Sequence, residues 1–359
     1  MKFGPVSIEE ALGAILAHSM PLQGGKRLRK GLVLGSEEIE ALQAAGHTEI
    51  TVARLEASDT GEDEAARRLA AAMVPDAYEA NLRIGRASTG RVNLHAIGPG
   101  VLTFDASAIA AANQIDPMIT IATLPPFARV WDRGLVATIK VISYGISRAS
   151  LRQAEVALQD AMRVRPVIMR TATLIETVIP PIPGAPNTAR DPEATPQAPN
   201  TARDPEAAQN APNGKGEAAI RARLERLGMR LSEVITTPHE TEEIAQAIAG
   251  AEGDVILILT ASATSDLRDT APEAVRMAGG QVTRFGMPVD PGNLLFTGGL
   301  GAVPIIGLPG CARSPALNGA DWVLERVVCG VAVTDADIAA MGIGGLLKEI
   351  PQRGRLRES

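Results

Sequence analysis

Six consecutive residues, Asp254-Val-Ile-Leu-Ile-Leu259, constrain the fold more than any other stretch. Five apolar residues in a row leave no polar face, so the strand is buried on both sides. Strands of that kind belong to parallel sheets covered by helices. The neighbouring segments alternate accordingly. Pro166–Thr171 reads as a short strand, and Ala219–Leu227 places Ile220, Leu224 and Leu227 on one helical face. Ser232–Thr236 reads as a strand, and Thr237-Pro238-His239-Glu240 has the form of a capping box opening a helix that buries Ile244 and Ile248. A helix Pro272–Met277, strands Gln281–Phe285 and Val303–Gly307 and a helix Pro315–Val328 follow. This alternation predicts an α/β domain with a doubly wound, mostly parallel sheet over residues 164–338.

That domain is interrupted. From Gly184 to Asn213 there is no Val, Ile, Leu, Met or aromatic residue, and APNTARDPEA occurs twice, at Ala185–Ala194 and Ala198–Ala207. A segment with nothing to bury cannot offset its ordering entropy, so residues 180–214 are expected to form a disordered insertion. Upstream, Val6–Ala17, Leu32–Ala45 and Gly61–Met73 read as helices with a strand at Glu49–Val52, which predicts a small α/β module over 1–88. From Gly90 to Ser143 the pattern is strand-like, with a hairpin across Trp131–Gly134, which predicts a β-rich module over 89–163. A loosely ordered tail is expected over 339–359.

Composition excludes several functions. Aromatics are 3% of the chain and the net charge is −6, which disfavours base-stacking platforms and wholesale binding of nucleic acid. Two cysteines, Cys311 and Cys329, make no disulfide framework and fit a reducing compartment. Neither a signal peptide nor a membrane span is evident, so a cytoplasmic location is expected. The four histidines (His18, His47, His95, His239) lack the spacing of the usual zinc sites, and no phosphate-binding GxxxxGK[ST] loop is present.

The chemistry is expected at the carboxyl ends of the strands, where open α/β sheets bind ligands. The first loop is Thr260-Ala-Ser-Ala-Thr-Ser-Asp-Leu-Arg-Asp269. Thr270, Pro272 and Glu273 read as a capping box whose helix offers free N–H groups to an anion. Asp266 and Asp269 beside such a site imply a divalent cation or a polar substrate ring. Gly286-Met-Pro-Val-Asp-Pro-Gly-Asn293 and Gly307-Leu-Pro-Gly-Cys-Ala-Arg-Ser-Pro315 supply two further loops, with Ser314 as an expected N-cap and Arg268 and Arg313 as expected phosphate partners.

These three loops resemble those of the molybdopterin-binding domain shared by molybdopterin molybdotransferases and adenylyltransferases. Arg268-Asp-Thr-Ala-Pro-Glu273 is similar to the adenylyltransferase Arg-Asp-x-Thr-Pro-Glu turn, Pro291-Gly292 to the family's Pro-Gly loop, and Gly307-Leu308-Pro309-Gly310 to its Gly-Leu-Pro-Gly loop. Gly-Met-Pro-Val-Asp-Pro-Gly-Asn and Pro-Gly-Cys-Ala-Arg-Ser-Pro also resemble the subgroup called molybdopterin-binding proteins. The resemblance implies ligand contacts at Thr260, Ser262, Thr264 and Arg268 in the first loop, and at Asp290, Gly292 and Asn293 in the second. In the third it implies contacts at Gly307, Pro309, Gly310, Cys311, Arg313 and Ser314. Asp269 and Asp266 would be the catalytic carboxylates and the ligands of a magnesium ion. The implied activity is binding of molybdopterin or molybdenum cofactor in cofactor biosynthesis, with molybdate inserted into adenylylated molybdopterin. The alternatives are a non-catalytic carrier that hands the cofactor to a separate nucleotidyltransferase or a molybdoenzyme, and a nucleotide pyrophosphatase. A homo-oligomer is implied as well. One departure stands out: the family's glycine-rich first loop is here Thr260-Ala-Ser-Ala-Thr264, without glycine. Each added Cβ narrows the approach to a phosphate or pterin, which favours the carrier.

Overall fold

The computed structural model describes residues 1–179 and 214–347. The expected insertion, apart from Gly214, and the tail beyond residue 347 lie outside the described residues. The chain divides into two compact units, Met1–Pro166 and Val167–Ser359. Among the described residues no helix is long and apolar enough to cross a membrane.

The first unit contains two cores. Ile8, Leu16, Leu34, Leu42, Ile50 and Val52 form the smaller one. The larger joins the helix Glu62–Met73, through Ala66, Leu69 and Met73, to Val92, Leu94, Ile139 and Val164, so elements on both sides of residue 88 share one apolar interior. Val6–Ala17 is not a helix. Lys2–Ser7 is a strand paired antiparallel with Glu49–Arg54, and only a three-residue turn, Glu9–Ala11, follows before Gly13 redirects the chain at φ +73°. The Trp131–Gly134 hairpin is also absent. Leu135–Val141 pairs with Ile119–Thr123 and Arg91–Ala96, whereas Arg129–Val130 joins Gly100–Phe104. Two helices interrupt or follow the strand-like region. Ala106–Ile115 is capped by the Asp105 carboxylate, and Arg148–Ala157 by the Ser147 hydroxyl.

The second unit is the expected α/β domain. Its elements are β1 (Thr171–Val178), α1 (Lys215–Arg226), β2 (Arg230–Pro238), α2 (Thr241–Gly250), β3 (Val255–Leu259), α3 (Thr270–Met277), β4 (Gln281–Phe285), β5 (Phe296–Leu300), β6 (Val303–Leu308), α4 (Gly319–Val328) and α5 (Asp335–Ala340). The sheet runs in the order β2-β1-β3-β6-β5-β4, parallel throughout except for β5, which runs against its two neighbours. The first strand starts later than the sequence suggests: Met162–Pro166 is a strand of the first unit, and β1 begins at Thr171. β5 contains Gly298-Gly299, whose lack of side chains hides it from a reading by propensity.

All five residues of β3 are buried, as its composition demands. On one face Ile175, Ile256, Ile258 and Ile305 pack with Ile244 and Ile248 of α2 and Ala271, Ala274 and Val275 of α3. Strand alternation sends Leu174, Leu257 and Leu259 to the other face, where Gly216 of α1 lies against Leu259. The chain passes from β1 outward to β2, then returns across β1 to β3. The carboxyl ends of β1 and β3 therefore flank a topological switch point, the crevice where open α/β sheets hold ligands.

Candidate functional site

Three consecutive side-chain and main-chain groups tie the strand ends together at this crevice. The Ala261 N–H, just past β3, donates to Thr177 Oγ1 at the end of β1 (2.7 Å). Thr177 is fully buried, and its hydroxyl lies 3.0 Å from Nδ1 of His239, just past β2. The His239 N–H donates to the Val178 carbonyl. The Thr177 oxygen keeps a second lone pair after accepting from Ala261, so the tautomer of His239 sets which partner gives the proton in this contact. Burial lowers the His239 pKa, against the pull of the nearby Asp269 carboxylate. Burial therefore favours the neutral ring at pH 7. His239 also corrects the capping box expected at Thr237–Glu240: β2 extends to Pro238, and α2 starts at Thr241 after Glu240, without a side-chain cap.

The first loop is closed by its own carboxylates. Asp269 Oδ2 accepts from the Ser265 N–H (2.8 Å) and hydroxyl (3.3 Å), and Oδ1 accepts from the Thr270 N–H (2.7 Å). Asp266 Oδ1 accepts from the Arg268 N–H (2.8 Å). Burial by itself would raise the Asp269 pKa, but these donors and His239 hold it below the ordinary carboxylate value. The N-cap of α3 is thus Asp269 and not Thr270, because a charged acceptor at that place satisfies the helix N-terminus better than a hydroxyl. The missing glycines are not needed for backbone conformation, since no residue from 260 to 269 has positive φ. Ser262, Ala263 and Thr264 keep amide N–H groups without a hydrogen-bond partner among the described residues.

The third loop is held from beneath. Arg223 of α1, nearly fully buried, pairs with Asp321 through Nε (2.6 Å). Its remaining nitrogens donate to the carbonyls of Ala219 (3.3 Å), Ala312 (2.7 Å), Ser314 (2.7 Å) and Ala316 (3.0 Å). Gly310–Arg313 forms a short 3-10 turn, and α4 begins only at Gly319. Its N-cap is buried Asn318, in a capping box with Asp321, not Ser314. The N-terminus of α4 is therefore satisfied internally, and an anion has no access to it. The second loop braces this end: the Gly319 N–H donates to the Pro291 carbonyl (2.8 Å). Gly292 has φ +137°, and a Cβ there would approach the Gly319 nitrogen to 2.8 Å, so the position requires glycine. Gly307 serves packing too, since a Cβ would occupy the Phe296 ring. The start of the tail is not loose. Asp290 N–H donates to Gly345 carbonyl (2.8 Å), and Leu347 N–H to Asp290 carbonyl (2.9 Å).

On the opposite face from His239, Glu176 of β1 meets Arg313 of the third loop at 3.5 Å. Arg313 also donates to the Thr260 carbonyl (2.9 Å), so it turns inward instead of toward a surface phosphate. Burial raises the Glu176 pKa against the pull of Arg313, and burial lowers that of Arg313 against the pull of Glu176. Among the remaining expected residues, Thr260 and Thr264 are buried, while Arg268, Asp290, Asn293, Cys311 and Ser314 are exposed. Cys311 Sγ accepts from Asn318 Nδ2 (3.0 Å).

A magnesium ion held by Asp269 and Asp266 would share carboxylate oxygens that already accept from the loop's own N–H and O–H groups. Among the described residues no three His, Cys, Asp or Glu side chains gather as a metal-binding group, and Asp269 commits both oxygens to N–H and O–H donors. Sequence reasoning missed His239, Thr177, Glu176 and Arg223. Three of them lie on or beside strand ends, where a register of one residue decides the face, and pattern alone does not reveal it.

A family model described as Domain of unknown function (DUF8806) matches residues 5–54. No curated protein matches the chain. Among solved structures, the molybdopterin biosynthesis MoeA protein from Pyrococcus horikosii is similar at 12% identity, covering 92% of this chain and 75% of that one, with a TM-score of 0.29.

Proposed function

We propose that the carboxyl edge of the second unit binds a phosphorylated pterin of the molybdopterin class in molybdenum cofactor biosynthesis, as a cytoplasmic carrier that passes it to a separate nucleotidyltransferase or molybdoenzyme. The observation that carries this reading is the meeting of the first and third loops at the topological switch point, where the sequence motifs resembling that family also fall. The Ser262–Thr264 amides supply neutral donors for a phosphate, and His239 adds an Nε2–H in the tautomer whose Nδ1 accepts from Thr177. The expected phosphate position at the helix N-termini is replaced by this loop, because Asp269 and Asn318 already cap α3 and α4.

The carrier reading is favoured over molybdate insertion by one geometric fact. Asp269, the carboxylate expected to position metal or molybdate, is spent on its own loop. Titrating purified protein with molybdopterin, followed by pterin fluorescence, tests the reading. Saturable binding that weakens about tenfold in Ser262→Pro, which removes one amide donor, is the expected result. No binding by the wild type refutes it. Turnover of adenylylated molybdopterin with molybdate would restore the transferase.

A further inference from the structure

The buried pair on the other face of β1 ties the third loop to the first through the Arg313–Thr260 bond and still leaves polar atoms of its own unsatisfied. Glu176 has a side chain 6% exposed and Arg313 one 11% exposed, and they meet at 3.5 Å, well short of a tight bidentate ion pair. Glu176 Oε1 and Arg313 Nε are buried with no hydrogen-bond partner. One is an acceptor and the other a donor, and buried orphans of this kind are rare without a ligand or water to satisfy them. Gly216, in the first turn of α1, packs directly on the pair: a Cβ there would lie 2.8 Å from Glu176 Oε1 and 3.0 Å from Arg313 Nη1, so the two head groups keep their places only over a glycine. The pair stands at the end of β1, beside β3, so it borders the same crevice as Thr177 and His239.

We infer that Glu176 and Arg313 form a recognition subsite for the amide edge of a 2-amino-4-oxo heterocycle, Glu176 accepting from the ring N–H and amino group and Arg313 donating to the ring carbonyl. An adjacent acceptor and donor match the adjacent N–H and C=O of such an edge, and no phosphate could take the place beside a carboxylate. The inference rests on the phosphopterin reading and adds which end of the ligand lies inward. The phosphate sits on the His239 face and the ring edge on the Glu176 face.

The test uses the full chain and three probes: 6-hydroxymethylpterin monophosphate, the same pteridine phosphate lacking the 2-amino and 4-oxo groups, and inorganic phosphate. Wild type is expected to prefer the first over the second by about tenfold or more, because a site built to hydrogen-bond an edge rejects a ligand without it. Glu176→Gln should shrink that ratio to about twofold or less while leaving inorganic phosphate binding unchanged. Wild type that binds both pteridines equally, or a folded Glu176→Gln variant that keeps the preference, overturns the subsite alone. Failure of wild type to bind any of the probes overturns the phosphopterin reading and the subsite together.

Discussion

Replacing Arg223 by alanine should unfold the third loop from beneath without touching a ligand. The guanidinium makes its ion pair with Asp321 at 2.6 Å and serves four carbonyls, three of them in the loop at Ala312, Ser314 and Ala316. The Asp321 side chain is 12% exposed, so alanine at 223 leaves a buried charge unpaired. Breaking a buried pair from one side costs about 3–5 kcal/mol, and the orphaned carbonyls push the value toward the upper end. For a unit of this size that corresponds to a fall of roughly 6–20 °C in melting temperature. Trp322 lies in α4, one residue past Asp321, and reports the transition in urea once Trp131 of the first unit is replaced by Phe. Arg223→Lys should recover little, since one ammonium cannot span Asp321 and the loop carbonyls together. In a cycle with Asp321→Asn, the two changes should couple by about 2 kcal/mol. A loss below about 1 kcal/mol for Arg223→Ala, or strict additivity with Asp321→Asn, would refute the claim that this residue holds the loop.

Gly307→Ala should destabilise the second unit by about 1–3 kcal/mol in chemical denaturation, because the new methyl meets the Phe296 ring; adding Phe296→Leu should return part of the loss. Gly292→Ala combines φ +137° with a close approach to the Gly319 nitrogen and should cost at least about 2 kcal/mol by the same measurement, without any ligand present. His239 has a pKa lowered by burial, so the unfolded chain takes up its proton first as pH falls. Stability should therefore decline as pH is lowered from about 6.5 through the folded-state value, and His239→Gln should flatten that slope in melts between pH 7 and 5.

Where burial dictated residue type, the sequence was legible. Val255–Leu259 is a two-face buried strand because only apolar residues survive between helix layers, and Ile244 and Ile248 mark the inner face of α2 for the same reason. Local capping was less legible, because several acceptors compete for one helix end. Thr270 and Ser314 are reasonable caps in isolation, yet Asp269 and Asn318 win through charge and through a partner three residues on. Val6–Ala17 failed for a related reason: its apolar spacing fits a helix, but Glu49–Arg54 offers a strand partner that spacing cannot foresee. At the site, the motif positions of the three loops were readable, while the residues that organise them were not. Arg223 lies 98 positions from Asp321 and about 90 from the three loop carbonyls it binds, a relation that exists only after folding.

Consecutive residues Glu176 and Thr177 point to opposite faces of β1, and this alternation divides the labour of the crevice. Thr177 spends its hydroxyl on structure, accepting from Ala261 and pairing with Nδ1 of His239, and what that face leaves to a ligand is the loop amides and the imidazole Nε2. Asp269, Asn318 and Arg223 likewise satisfy themselves within the protein. Glu176 and Arg313 each carry a buried side-chain atom without a hydrogen-bond partner among the described residues, and the two side chains face each other. Loops held by this many internal bonds are largely preorganised, which lowers the ordering cost of receiving a ligand. Discrimination between ligands must then come from the groups still lacking partners, because a ligand that pairs them gains what every other ligand leaves buried and unpaired. On this argument affinity for phosphate belongs to the His239 face, and choice of ring belongs to Glu176 and Arg313.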